Sequence, residues 1–348
     1  MWESRESLLL SRPLAGSPLT GRRFALRREE RPRRGRNDVL ALRDSWRTMA
    51  GMKSPLRPAS PTTTVVRIGL VQSACTADRE ANIAQAIVGI ADAVRQGAHV
   101  VCLQELFAGE YPCQAEDHGK FTEAEAVPGP LTERLAVAAK EHDVVLVGSV
   151  FERRSAGLFH NTAVIFDADG STAGVYRKMH IPDDPHYYEK FYFAPGDTGF
   201  KSVATSRLAV GPLVCWDQWY PEAARLTAMA GAQALFYPTA IGWLDGEESL
   251  HREQYESWDT MLRSHAIANG VFVVAVNRTG REGPLRFWGA SVVYAPNGEC
   301  LLKASHEEPL TAVVDCDLDR IEWSRTRWPF FRDRRIDAYG GLLGRWGG

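Results

Sequence analysis

Glu105, Lys178 and Cys215 stand in that order along the chain, and together they form a set that could attack a carbonyl carbon. Glu105 closes the apolar run of residues 99–103, at the C-terminal end of a predicted strand, where α/β sheets present their chemistry. Burial or a nearby like charge would raise its carboxyl toward neutrality and fit it for general-base work. Lys178, in YRKMHIPD, would supply a fixed cation for the oxyanion of a tetrahedral intermediate. Cys215 follows the apolar run 208–214 and precedes WDQWYPEAARL, which reads as a helix start. Such an elbow aims backbone amides at the thiol, and these amides with a positive partner lower a thiol's pKa. The N–H of Trp216 would be an oxyanion donor at the same place. Each residue also has an ordinary reading: an exposed strand-end carboxylate, a surface lysine, a buried core cysteine.

The elements that must position these residues begin at residue 63. Residues 63–71 are β-branched and apolar, a buried-strand signal. Ile83, Ile87, Ile90 and Val94 then recur on one helical face, and Gly97 ends that helix. Strands are expected over 99–103 and 144–150, with a helix over 131–142 between them. The intervening stretch 108–130 lacks periodicity, and a loop of that length is usually functional. Asp169-Gly170 turns a hairpin between 160–166 and 171–177, Ser206-Arg207 a second, and Asn297-Gly298 a third. Helices are expected over 220–230 and 252–268, and strands over 235–237, 271–276 and 311–314. Strands alternate with helices while hairpins intrude, which fits mixed sheets covered by helices on one face.

Composition narrows the function. Residues 1–60 hold 14 Lys or Arg against 6 Asp or Glu, leaving 27 basic and 37 acidic residues for the rest. An acidic body is a poor nucleic-acid ligand. Residues 1–61, rich in Arg, Pro, Ser and Gly, read as a disordered basic leader, with residues 62–348 as one catalytic domain. The acids in the leader argue against a transit peptide, and Met52 is an expected alternative start. The six cysteines form no CxxC pair and no His pair has zinc-ligand spacing, so no metal or other cofactor is expected. Free thiols in a cytoplasmic protein are the expected state. No apolar run approaches the ~20 residues of a membrane span. His180 and His186 are expected to orient their loop, and the aromatic run 187–193 to pack in the core.

LQELF around Glu105, YRKMHIP around Lys178 and CWDQWYPE around Cys215 resemble the nitrilase/amidase superfamily, over essentially all of residues 63–340. The resemblance implies an αββα sandwich with two mixed β-sheets, paired into αββα–αββα dimers. It also implies a Glu105–Lys178–Cys215 triad, with Glu189 of HYYEKFYF as a second glutamate and Tyr111 either at a substrate wall or simply packed. Trp328, Phe330 and Phe331 beside Arg332, Arg334 and Arg335 look like an arm packed on a partner subunit. Relatives that hydrolyse N-carbamoyl amino acids usually carry an Arg just after the nucleophile. Here Trp216, Asp217, Gln218 and Trp219 contain no cation. Aromatic walls and an acid suit a cationic carbamoyl amine, with Asp217 as an ammonium partner or an elbow brace and Asp245, Glu247 and Glu248 as further partners.

Overall fold

The structure, a computed structural model, describes residues 64–346. The expected leader and the Met52 start lie outside the described residues. A first six-stranded sheet contains β1 (Val65–Gln72), β2 (Val100–Leu103), β3 (Val145–Ser155), β4 (Leu158–Phe166) and β5 (Thr172–Arg177), with β15 (Leu310–Asp317) beside β1. The second contains β6 (Val203–Ala204), β7 (Ala209–Pro212), β8 (Ala234–Pro238), β10 (Phe272–Val276), β13 (Val292–Tyr294) and β14 (Cys300–Lys303). Both sheets are mixed: β1, β2 and β3 run parallel and so do β7, β8 and β10, while hairpins extend each sheet antiparallel.

Period-two alternation sorts these strands into layers. Val66, Ile68 and Leu70 of β1 meet Phe272, Val274 and Val276 of β10 in the core between the sheets. Val71, on the other face of β1, packs with Ile83, Ile90 and Ala93 of α1 (Arg79–Arg95) and with Leu135 of α2 (Pro130–Glu141). Gly69 lets α1 approach, since a Cβ there would stand 2.9 Å from that of Ala93. Val273 and Ala275 turn instead toward Ala224 and Ala228, and toward Trp258 and Leu262. After the four-residue α3 (Glu189–Tyr192), the first pair belongs to α4 (Pro221–Met229) and the second to α5 (Glu248–Asn269). The order is helix, sheet, sheet, helix, the sandwich that the resemblance implied.

Several elements go beyond the sequence-based expectation. β3 runs on to Ser155 and turns at Gly157 (φ +74°), past the expected strand, whose extension ends in the exposed RRS with no apolar alternation to mark it. A third sheet of β9 (Gly242–Leu244), β11 (Thr279–Glu282) and β12 (Leu285–Trp288) is built from runs too short to announce themselves. The α6 helix (Asp319–Arg327) buries just Ile321 and Ser324, so it has no apolar stripe. Phe331 packs between the guanidinium groups of Arg225 (4.9 Å) and Arg325 (4.5 Å) of its own chain. Trp328 and Phe330 are each 51% exposed. Among the described residues no helix is long and apolar enough to cross a membrane.

One glycine bears directly on the strand end that carries Lys178. Gly196 donates its N–H to the Lys178 carbonyl at 2.8 Å, and a Cβ on it would lie 1.9 Å from the Arg177 carbonyl oxygen. Gly196→Ala should therefore destabilise the fold by about 1–3 kcal/mol, as overpacking against unyielding backbone does. Urea denaturation checks this, and an unchanged midpoint would contradict it.

Candidate active site

The two sheets bring their strand ends together. Glu105 lies two residues beyond β2, Lys178 immediately after β5, and Cys215 three residues beyond β7. The Glu105 N–H reaches the Thr239 carbonyl just past β8, joining one sheet to the other. All three expected triad side chains are buried, Glu105 completely, and Glu189 of α3 is buried with them. Lys178 Nζ donates to Glu105 Oε1 at 2.9 Å and to Glu189 Oε1 and Oε2 at 2.7 and 2.8 Å. Asn161 Nδ2 donates to Glu105 Oε1 at 2.7 Å, leaving Glu105 Oε2 buried without a partner. An unpaired carboxylate oxygen is the atom a general base needs.

The electrostatics of the cluster follow from burial. Desolvation opposes the Lys178 charge, but the two carboxylates overcome it and hold the ammonium protonated far into the alkaline range. Burial pushes the Glu189 carboxyl up, Lys178 pulls it down, and the Glu105 charge pushes it up again. The thiol contradicts the expectation of a depressed pKa. Burial and then the Glu105 charge push Cys215 well above an ordinary thiol, and Lys178 offsets these effects incompletely. At rest the Cys215 thiol is neutral.

Cys215 opens the 3-10 turn Cys215–Trp219 with φ +37°, a left-handed conformation unusual for a residue with a side chain. Leu106, next to Glu105, is similarly held at φ +47°. Trp216 lies in the first turn after the elbow, where N–H groups lack intrahelical acceptors.

Cys215, Trp216 and Glu189 line a cavity of ≈ 510 Å³ whose walls also include Trp219, Trp288 and Tyr187. Among the described residues no Lys or Arg lines it, whereas Asp184, Glu189, Glu247 and Glu253 do. Among the expected ammonium partners, Glu247 alone is on this wall. Asp245 pairs with Arg281, and Glu248 accepts the Gly246 N–H at 3.0 Å. Two other expected substrate contacts stand behind the cavity. Tyr111 is 2% exposed and gives its hydroxyl proton to Glu189 Oε1 at 2.7 Å, so it props that carboxylate and does not form a substrate wall. Asp217 is fully buried and spends its oxygens on Val214, Tyr176 and His180, so it braces the elbow and holds no ammonium. Among the described residues no three His, Cys, Asp or Glu side chains converge as a metal site.

Sequence reasoning missed Asn161, Arg278 and Glu253. Asn161 is a polar interruption of the buried strand LFHNTAVIF, and that was a usable signal. Arg278 follows β10 as Glu105 follows β2; it donates to the carbonyls of Glu105 at 2.7 Å and Leu106 at 3.0 Å and pairs with Glu282 at 2.7 Å. Glu253 sits on α5 with Leu250, Gln254 and Ser257 on the face toward the cavity, a pattern easily mistaken for a solvated helix.

Residues 67–326 match the family described as carbon-nitrogen hydrolase. The chain belongs to the carbon–nitrogen hydrolase family. It is 42% identical to the N-carbamoylputrescine amidase of Solanum lycopersicum over 288 residues, covering 80% of this chain and 95% of that one. The crystal structure of a carbon-nitrogen hydrolase from Helicobacter pylori G27 superposes with a TM-score of 0.79 at 44% identity, covering 81% of this chain and all of that one. A mutant amidase from Nesterenkonia sp. AN1, showing covalent addition of the acetamide moiety of fluoroacetamide at its active-site cysteine, matches with a TM-score of 0.66 at 26% identity, over 83% and 99% of the two chains.

The electrostatic balance around Cys215 gives a signed expectation. The Glu189 anion raises the thiol's pKa, so Glu189→Gln should lower it and move iodoacetamide alkylation of Cys215 to lower pH. Site-resolved mass spectrometry across a pH series reads this out. An unmoved or upward-shifted profile would show that the thiol does not feel that charge.

Proposed function

We propose that this enzyme hydrolyses N-carbamoylputrescine to putrescine, carbon dioxide and ammonia, a step of polyamine biosynthesis, with Cys215 as nucleophile. The observation that carries the substrate reading is the cavity wall, where four carboxylates and several aromatic rings, with no Lys or Arg among the described residues, line the space next to the thiol. A tetramethylene chain ending in an ammonium suits such a wall, and a substrate carboxylate does not. The relatives named N-carbamoylputrescine amidase support the same choice.

In the proposed mechanism, Glu105 Oε2 takes the Cys215 proton as sulfur attacks the carbamoyl carbon. Lys178 exchanges one of its contacts with Glu189 for the new oxyanion, and the Trp216 N–H is the second donor. Glu105 passes its proton to the departing nitrogen as the C–N bond breaks, leaving an S-acyl intermediate on Cys215. Water, deprotonated by Glu105, then attacks this carbon and the thiol takes back a proton. The carbamic acid released loses carbon dioxide and frees the second nitrogen. Glu189, propped by Tyr111, keeps Lys178 in place through both halves.

We further infer self-association through the apolar residues exposed on α4 and the C-terminal segment, including Leu226, Met229, Trp323 and Trp328. Cytoplasmic residence is part of the same proposal, supported by six unpaired cysteines.

Cys215→Ala should abolish ammonia release while leaving the circular dichroism spectrum intact; retained turnover refutes the nucleophile. Against N-butylurea, which lacks the ammonium, N-carbamoylputrescine should have a kcat/KM higher by about tenfold or more, equivalent to about 1.4 kcal/mol. Glu253→Gln and Glu247→Gln should narrow that ratio. Faster turnover of N-carbamoyl amino acids would overturn the charge argument.

A further inference from the structure

We propose that Asp217 is a positioning residue that fixes the Cys215 elbow to the segment carrying Lys178, and so sets the distance between nucleophile and cation. This rests on the reading of Cys215 and Lys178 as reacting partners. Asp217 Oδ2 accepts the backbone N–H of Val214 at 3.0 Å, one residue before the nucleophile, and the hydroxyl of Tyr176 at 2.8 Å, two residues before Lys178. Oδ1 accepts the backbone N–H of His180 at 3.1 Å and its Nδ1–H at 2.7 Å, two residues after Lys178. A carboxylate offers about four lone-pair sites, and here all are used. One side chain thus holds the elbow and both flanks of Lys178.

The grip extends to the far end of the turn. The His180 ring lies flat on Tyr220, with centroids 3.6 Å apart and planes within 6°. Tyr220 directly follows the turn Cys215–Trp219 and returns its N–H to the Asp217 carbonyl at 3.1 Å. The segment 176–180 therefore clamps the nucleophile turn at its entry through Asp217 and at its exit through His180. An elbow strained at φ +37° persists where its surroundings over-determine it, and this clamp does so.

The geometry makes Asp217→Asn unusually informative. Each carboxylate oxygen faces one backbone N–H, from Val214 or from His180, and a backbone N–H cannot turn round to accept. Either amide orientation sets an NH2 group against one of them. Turnover of Asp217→Asn should fall by about 10²-fold, the effect of roughly 1 Å of misplacement, with KM changed by less than about threefold. The pH profile of Cys215 alkylation should shift as well, which loss of stability alone would not cause in folded protein. If Asp217→Asn does not fold, the His180 variants decide. His180→Ala should lose turnover, and His180→Asn, whose amide nitrogen replaces Nδ1, should recover it by about tenfold, a single hydrogen bond's worth.

A folded Asp217→Asn protein with wild-type turnover and alkylation profile would overturn the proposal. So would equal activity of His180→Ala, His180→Asn and wild type. Cys215→Ala serves as the control: retained turnover in that variant would sink the reading of the site itself, whereas a dead Cys215→Ala beside an unaffected Asp217→Asn sinks the clamp alone.

Discussion

The interaction on which the rest of the structure depends is one ammonium, Lys178, held between the carboxylates of Glu105 and Glu189 with all three side chains out of solvent. Removing such charges from water costs several kcal/mol per ion, and it is sustained where geometry and added hydrogen bonds compensate. Compensation here requires strand ends of the first sheet to converge with α3 and the loop that carries Tyr111. β5 must deliver Lys178 to β2's Glu105, Asn161 on the neighbouring β4 must complete Glu105 Oε1, and Tyr111 must complete Glu189. The cluster is satisfied everywhere except at Glu105 Oε2. A buried acceptor left open is a stability defect, and the proposed chemistry uses that atom.

Backbone strain is concentrated at the same place. Cys215 and Leu106 both adopt left-handed conformations beside the reacting groups, at positions where glycine would be easier for the chain. Arg278 relieves the carbonyls of Glu105 and Leu106, as Asp217 relieves the amide before Cys215. The strain is held by buried charged side chains, Arg278 from a distant segment and Asp217 from within the turn itself, so the site is rigid although it is made from loop residues.

Charge on the cavity wall divides the work between reaction and selection. The carboxylates nearest Lys178 are bound to it, while Glu247 and Glu253 line the wall from the start and the body of α5. In the proposed mechanism the reaction residues come from strand ends, which the double sheet fixes. The residues proposed for selection come from a helix and loop, which can vary without disturbing the sandwich.

Much of this was legible in the chain itself. The strand and helix periods, the Asp169-Gly170 and Asn297-Gly298 turns and the motifs around Glu105, Lys178 and Cys215 are local patterns, and local patterns survive in one dimension. What the sequence could not show depends on contacts between distant residues: Lys178 and Glu105 are 73 residues apart, Arg278 and Leu106 172. Asp217 reads as an acid beside a nucleophile until folding places Tyr176 and His180 on its two oxygens. Tyr111 reads as a substrate wall until Glu189 stands in front of it. Burial even reversed the expected direction of the Cys215 pKa, because desolvation is a property of the folded interior and of no residue type alone. By itself the sequence determined which groups are present and in which order; the tertiary structure decided which of them meet, and so which hold and which are free to react.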